Sequence, residues 1–166
     1  MTQDDSFIQV AREGTTGFIR ITGKGSFKNA KLLKSFADTT RQEGVTRFLI
    51  DLQDCKHMDS TFMGVLAGLA SDQKKAGLEM PQCFNLSVRN RELLETLGLD
   101  RVLNLAQAAD QSTFKDYIAL NEQGEPDKRE TALTMLEAHQ QLIEADSRNA
   151  SKFQDVVKFL RHRVDS

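Results

Sequence analysis

Few side chains in this 166-residue chain are of types and spacings that do chemistry. His57, His139 and His162 lie far apart, with no cysteine or carboxylate cluster at metal-ligand spacing, so no metal site is expected. Cys55 and Cys83 stand at the ends of apolar runs and read as small core residues, because reactive thiols need an exposed, electropositive setting. Gly23-Lys24-Gly25 lacks the further glycines and the Lys-Ser/Thr pair of a phosphate-binding loop. No Gly-x-Ser-x-Gly elbow and no Ser-His-Asp order stand out. Nothing assembles a base, a nucleophile and an orienting group. The expectation is a chain without catalytic residues or cofactor, and not an enzyme.

One stretch is different. Asp59-Ser60-Thr61-Phe62-Met63-Gly64 lies between an apolar run and a helical pattern. Asp59, Ser60 or Thr61 is expected to cap the helix by bonding free N–H groups of its first turn. A hydroxyl at that place can also take a phosphate. The free amides and the helix dipole accommodate part of the roughly −1.5 to −2 charge that arrives with it. Ser60 is therefore a candidate switch as well as a candidate cap.

The elements around this turn follow from periodicity. Residues 7–12 and 17–22 are β-type runs separated by Glu13-Gly14-Thr15-Thr16, a hairpin signal. Ala30, Leu33, Phe36 and Ala37 share one face of a helix that Gly44 ends. Phe48-Leu49-Ile50-Asp51-Leu52 reads as a buried, parallel-type strand, followed by a loop at His57-Met58-Asp59-Ser60. A helix is expected from Thr61 to about Lys75, a strand at Cys83–Leu86 and a short helix at Arg91–Leu97. A strand at Val102–Leu105 and a helix around Gln111–Leu120 complete the unit. Strands alternating with helices in this way predict an α/β fold with a mixed, partly parallel sheet and helices packed on it.

Residues 1–120 form this expected domain, and the polar stretch 121–126 reads as a linker, with Pro126 suited to open a helix. Residues 127–166 change character. Leu133, Leu136 and Ile143, with Ala132 and Leu142, make one apolar stripe; Phe153, Val156, Val157, Leu160 and Val164 make a second. Ser151-Lys-Phe-Gln154 has capping-box spacing, so a second helix is expected to start there. Such a helical hairpin cannot form a core alone. It packs on the α/β unit or on another chain, which makes 127–166 the candidate surface for homo-oligomers.

Composition excludes several functions. Lys plus Arg number 22 and Asp plus Glu 24, a net charge of −2, which argues against a nucleic-acid surface or a polybasic membrane anchor. With no Trp and one Tyr, stacking platforms for single strands are not expected either. The longest mostly apolar run, Phe62–Ala70, is under half the roughly 20 residues of a spanning helix, so no membrane insertion is expected. The polar start MTQDDS has no signal-peptide pattern, and two cysteines make no disulfide framework. A reducing cytoplasm is the expected compartment.

Phe48-Leu-Ile-Asp-Leu52, a short spacer and His57-Met-Asp-Ser-Thr-Phe-Met-Gly-Val-Leu-Ala-Gly68 resemble the signature of STAS domains, in particular the anti-sigma factor antagonists. Ile21-Thr-Gly23 with Phe27 and Ala30 resembles that family's loop into its first helix. The resemblance covers roughly residues 5–120 and leaves 125–166 outside. It implies a phosphorylation-switched protein-binding module with Ser60 as phosphoacceptor, preceded by Asp59, and Thr61 as the runner-up. The implied partners are an ATP-dependent serine kinase that doubles as an anti-sigma factor, and a serine phosphatase that resets the switch. The implied partner surface is Asp59, Ser60, Thr61, Phe62 and Met63, with Phe27 and Asn29 beside it. Two positions depart from the pattern. Phe62 stands where the family usually has Gly, and is either buried or a partner anchor. Asn29 stands near a position that is often acidic or hydroxylated. The competing expectation is a constitutive STAS scaffold or oligomerisation module in a signalling or transporter-associated complex, with Ser60 only a helix cap.

Overall fold

The computed structural model describes residues 5–106, 116–121 and 127–165. The two β-type runs form the expected antiparallel hairpin, β1 (Phe7–Glu13) and β2 (Thr16–Gly25). At 10 residues, β2 is long enough to take two parallel partners in succession on its other edge. Its first half pairs with β3 (Arg47–Asp51), and its far end with β4 (Cys55–Met58). β5 (Gln82–Phe84) and β6 (Asn104–Leu105) extend the sheet beyond β3 in parallel, and β7 (Ile118–Leu120) lies antiparallel on β1. The order is β6-β5-β3-β2-β1-β7, with β4 on β2 past the end of β3. This is the mixed, partly parallel sheet that the element order implied.

Helices α1 (Phe27–Gln42), α2 (Ser60–Lys75) and α3 (Val88–Thr96) connect these strands. Ala30, Leu33 and Ala37 of α1 and Phe62, Leu66 and Ala70 of α2 form one core with Ile8, Ile19, Ile21, Phe48 and Ile50 of the sheet. Cys55 and Cys83 are buried and unpaired. Burial pushes both thiols up, Cys83 to about 12, as fits small core residues and not reactive ones.

Several local expectations are corrected. His57 and Met58 are not loop but the end of β4. Ile118–Leu120 is a strand and not the end of a helix, and residues 111–115 of that expected helix lie outside the described ones. The third helix begins at Val88, because Ser87 rather than a later residue accepts the first-turn bond, from the Asn90 N–H at 3.0 Å. The expected strand at Val102–Leu105 shrinks to β6, since a single 3-10 turn at Leu99–Arg101 occupies the preceding chain.

Beyond residues 122–126, which are not among the described ones, α4 (Lys128–Ala145) and α5 (Asn149–Asp165) form the helical hairpin. The second helix starts at Asn149 and not at Ser151. The turn is closed by the Arg148 N–H donating to Asp146 Oδ1 at 3.0 Å, and Ser151 donates its hydroxyl to the Arg148 carbonyl at 3.2 Å. α4 docks on α2, where Ala138 and Leu142 join the main core. Ala132, Leu136, Val157 and Leu160 form a smaller core between α4 and α5. Leu133 and Val156, expected in the stripes, are exposed on the outer flank. Among the described residues, no helix is long and apolar enough to cross a membrane.

Candidate functional site

The turn from β4 into α2 is held from both sides. The Asp59 N–H donates to the Gly25 carbonyl at 2.9 Å, which ties the turn to the end of β2. The Asp59 carboxylate does more. Oδ1 accepts from the Phe62 N–H at 2.9 Å and caps α2, while Oδ2 accepts from the Phe27 N–H at 2.9 Å, in the first turn of α1. One carboxylate thus serves two helix N-termini, where both dipoles favour a negative charge. The cap is Asp59, and Ser60 is the first residue of α2.

Ser60 is half-buried, and its hydroxyl has another partner. Its Oγ lies 2.8 Å from Nε2 of His139, a residue of α4 that is 3% exposed. Nδ1 of the same ring lies 2.6 Å from the Met135 carbonyl. A carbonyl only accepts, so Nδ1 carries the hydrogen; in the neutral ring Nε2 is then the acceptor and Ser60 donates to it. Phe153 of α5 meets the imidazole edge-on, with centroids 5.1 Å apart. His139 thus joins Ser60 to both helices of the hairpin.

The other residues singled out from sequence fall into different places. Thr61 is 3% exposed, and Phe62 and Met63 are buried. Phe62 fills space that Gly25 leaves free: a Cβ on Gly25 would lie 2.6 Å from the ring. This resolves the alternatives for Phe62 in favour of burial. Asn29 is also buried. Its Oδ1 accepts from the Ser26 N–H at 2.9 Å and its Nδ2 donates to the Lys24 carbonyl at 2.9 Å, which makes it half of a capping box. Phe27 is 45% exposed, at the start of α1. The structure therefore brings Asp59, Ser60 and the start of α1 together, with Asp59 and Ser60 half-buried and Ser60 under α4, and sets Thr61, Phe62 and Met63 inside.

His57 lies elsewhere, with Arg89 Nη2 3.2 Å from its Nδ1, and His162 stands in the last turn of α5. Among the described residues there is no cluster of three or more His, Cys, Asp or Glu side chains that could hold a metal ion. Sequence reasoning missed His139 as a neighbour of Ser60. The available signal was its position: Leu136, His139 and Leu142 share a helical face, so the ring sits in an apolar stripe and not on a solvated side.

Fold and turn together define a small mixed-sheet α/β domain with a doubly used cap at its second helix. The model of the STAS domain family matches residues 7–112, and the chain belongs to that family. Solved structures share the fold at low identity. The Thermotoga maritima protein TM1081, described as a candidate anti-sigma factor antagonist, aligns with a TM-score of 0.52 at 17% identity, over 57% of this chain and 80% of its own. The Bacillus cell fate determinant SpoIIAA, in its phosphorylated form, aligns with a TM-score of 0.53 at 19% identity, over 62% of this chain and 92% of its own. The hairpin α4–α5 lies outside the family match.

Proposed function

We propose that the chain is a phosphorylation-switched protein-binding module of the anti-sigma factor antagonist type, working in a reducing cytoplasm, with Ser60 as phosphoacceptor. The partner is a serine kinase that doubles as an anti-sigma factor. The unphosphorylated chain captures it, phosphorylation ends the capture, and a serine phosphatase restores it by hydrolysis. In the kinase step the Ser60 oxygen bonds to the γ-phosphorus of ATP, the bond from that phosphorus to the β-phosphate bridge breaks, and ADP leaves. The hydroxyl proton passes to a base of the kinase.

The observation that carries this reading is the division of labour at the turn. Asp59 supplies the cap, so Ser60 can be modified without removing the bond that starts α2. Burial of Thr61 favours Ser60 over its neighbour as the acceptor. A dianion placed at a docked surface costs several kcal/mol in desolvation and repulsion, and about 2.7 kcal/mol already moves an equilibrium a hundredfold.

A second reading has its own support. A serine bonded to a buried histidine in a seam between helices is also what a purely structural role produces, and the chain would then be a constitutive scaffold. A pull-down from native extract with wild type, Ser60→Ala and Ser60→Asp separates the two. The switch predicts that the first two recover a common partner and Ser60→Asp loses it, with phosphate found on Ser60 by mass spectrometry. Equal recovery by all three favours the scaffold.

A further inference from the structure

We propose that the α4–α5 hairpin is a latch over the phosphoacceptor: docked on α2 it covers Ser60, and a phosphate on Ser60 and the docked hairpin exclude each other. The inference rests on the reading of Ser60 as the modified residue.

The contact geometry leaves little room. Ser60 Oγ lies 2.8 Å from His139 Nε2, and a phosphoryl group that takes the place of the hydroxyl hydrogen in this rotamer enters that space. His139 is held in this place by the bond of its Nδ1 to the Met135 carbonyl and by the packing of Phe153 against its ring. One turn further along α2, Gly64 lets the backbone of α4 come close: a Cβ there would lie 2.3 Å from the Ala138 carbonyl oxygen. The Ser60 hydroxyl is directed at α4, so an active site that takes this oxygen competes with His139 for it.

The hairpin has ties of its own, although Ala138 and Leu142 of α4 pack into the main core. Its two helices keep their own small core of Ala132, Leu136, Val157 and Leu160. Several of its ties to the rest of the chain are polar: Lys31 to Glu130, Arg101 to Asp146 at 2.7 Å and Lys152 to the Thr96 carbonyl at 3.0 Å. A surface cleft of about 350 Å³ lies beside the seam of α1, α2 and α4, lined by Leu33, Gly64, Gly68 and Ala138.

Two forms of the full chain test the latch by amide hydrogen exchange. The first carries phosphoserine installed at position 60 during synthesis; the second is Gly64→Ala, whose methyl group meets the α4 backbone without touching Ser60. In both, exchange across residues 128–165 is expected to rise by about tenfold or more, while the amides of β1, β2 and β3 keep their wild-type rates. Unchanged protection of the hairpin in the phosphoserine form overturns the exclusion. Loss of protection in the sheet together with the hairpin in Gly64→Ala overturns the latch, because α4 would then be inseparable from the core. Since the phosphate is installed, a chain that no kinase modifies in cells refutes the proposed function and leaves this measurement standing on its own.

Discussion

Asp59 and Ser60 are adjacent in the chain and differ in what their removal should do. Asp59 bonds the first turns of two helices, so Asp59→Ala deletes the cap of α2 and one first-turn bond of α1, whose own cap is Ser26; each is worth about 1 kcal/mol. Urea unfolding should show a loss of about 2 kcal/mol for Asp59→Ala and a smaller one, about 1 kcal/mol, for Ser60→Ala, whose hydroxyl caps nothing but bonds the buried His139. A larger loss in Ser60→Ala than in Asp59→Ala would overturn this division. Phe62 is a second case, because a large ring is buried at the first turn of α2. The ring fits because Gly25 has no side chain, so the two positions form one packing unit. Phe62→Ala alone should cost about 3–5 kcal/mol, and Gly25→Ala should also destabilise by forcing the ring aside. In the double variant the added methyl group enters the vacated space, so the combined loss should fall short of the sum by more than about 0.5 kcal/mol. A double-mutant cycle in urea reads that coupling, and strict additivity would separate the two sites. A cap at Asp59-Ser60-Thr61 was legible in the sequence because the bond from the Phe62 N–H is local, whereas the second bond of Asp59, from the Phe27 N–H, was not. The His139 contact was not, since it joins residues 79 apart in the chain, and periodicity shows only which face of α4 is buried, not what lies across from it.

At the level of elements, the strands that escaped sequence reading are those whose burial is not periodic. In β4 only Cys55 and Met58 are buried, three positions apart, so no alternation marks Cys55–Met58 as a strand; the free end of β2 makes it one. β7 is an edge strand with Ile118 exposed, defined by pairing with β1 rather than by its own pattern. The long elements were legible because each carries enough apolar residues to set a helical period or a buried run: α1, α2, β2 and β3 formed close to where expected. The turn between α4 and α5 was legible as a break, and its chemistry was not. Asp146 is buried there, accepting from Arg148 Nη2 at 2.6 Å and Arg101 Nη2 at 2.7 Å. The hydrogen bonds from Arg148, ahead of the charge of Arg101, hold its carboxyl well below the usual carboxylate range. A carboxyl depressed in the folded state adds stability that is complete above its unfolded value of about 3.9 and is lost as pH falls through the folded value. Wild type should therefore keep hairpin protection at neutral pH and lose it in strong acid. Asp146→Asn should be weaker at neutral pH and lack that acid-dependent step, as exchange followed along a pH series would show. A step of equal size in Asp146→Asn would assign the acid sensitivity to another group.

For the whole molecule the question is whether the chain behaves as one cooperative unit or two. Ala138 and Leu142 of α4 belong to the same core as Ile19 and Ile50 of the sheet, which argues for one. The separate core between α4 and α5, and the polar ties between hairpin and domain, argue for an opening in which the hairpin leaves while the sheet persists. Two core substitutions decide between these. Leu142 is fully buried against the domain, so its contacts are lost both when the hairpin opens and when the whole chain unfolds. Leu142→Ala should lower both free energies equally, by about 2–4 kcal/mol. Ile50 is equally buried, but it stays packed in a hairpin-open state. Ile50→Val should lower the free energy of global unfolding by about 0.5–1.5 kcal/mol and leave that of hairpin opening untouched. Native-state exchange in rising sub-denaturing urea reports the two separately, through the amides of residues 128–165 and those of β2 and β3. If Ile50→Val lowers both by the same amount, the hairpin opens only when everything unfolds, and access to Ser60 would be set by global stability. If it lowers one, the appended helices set that access independently of the fold they sit on.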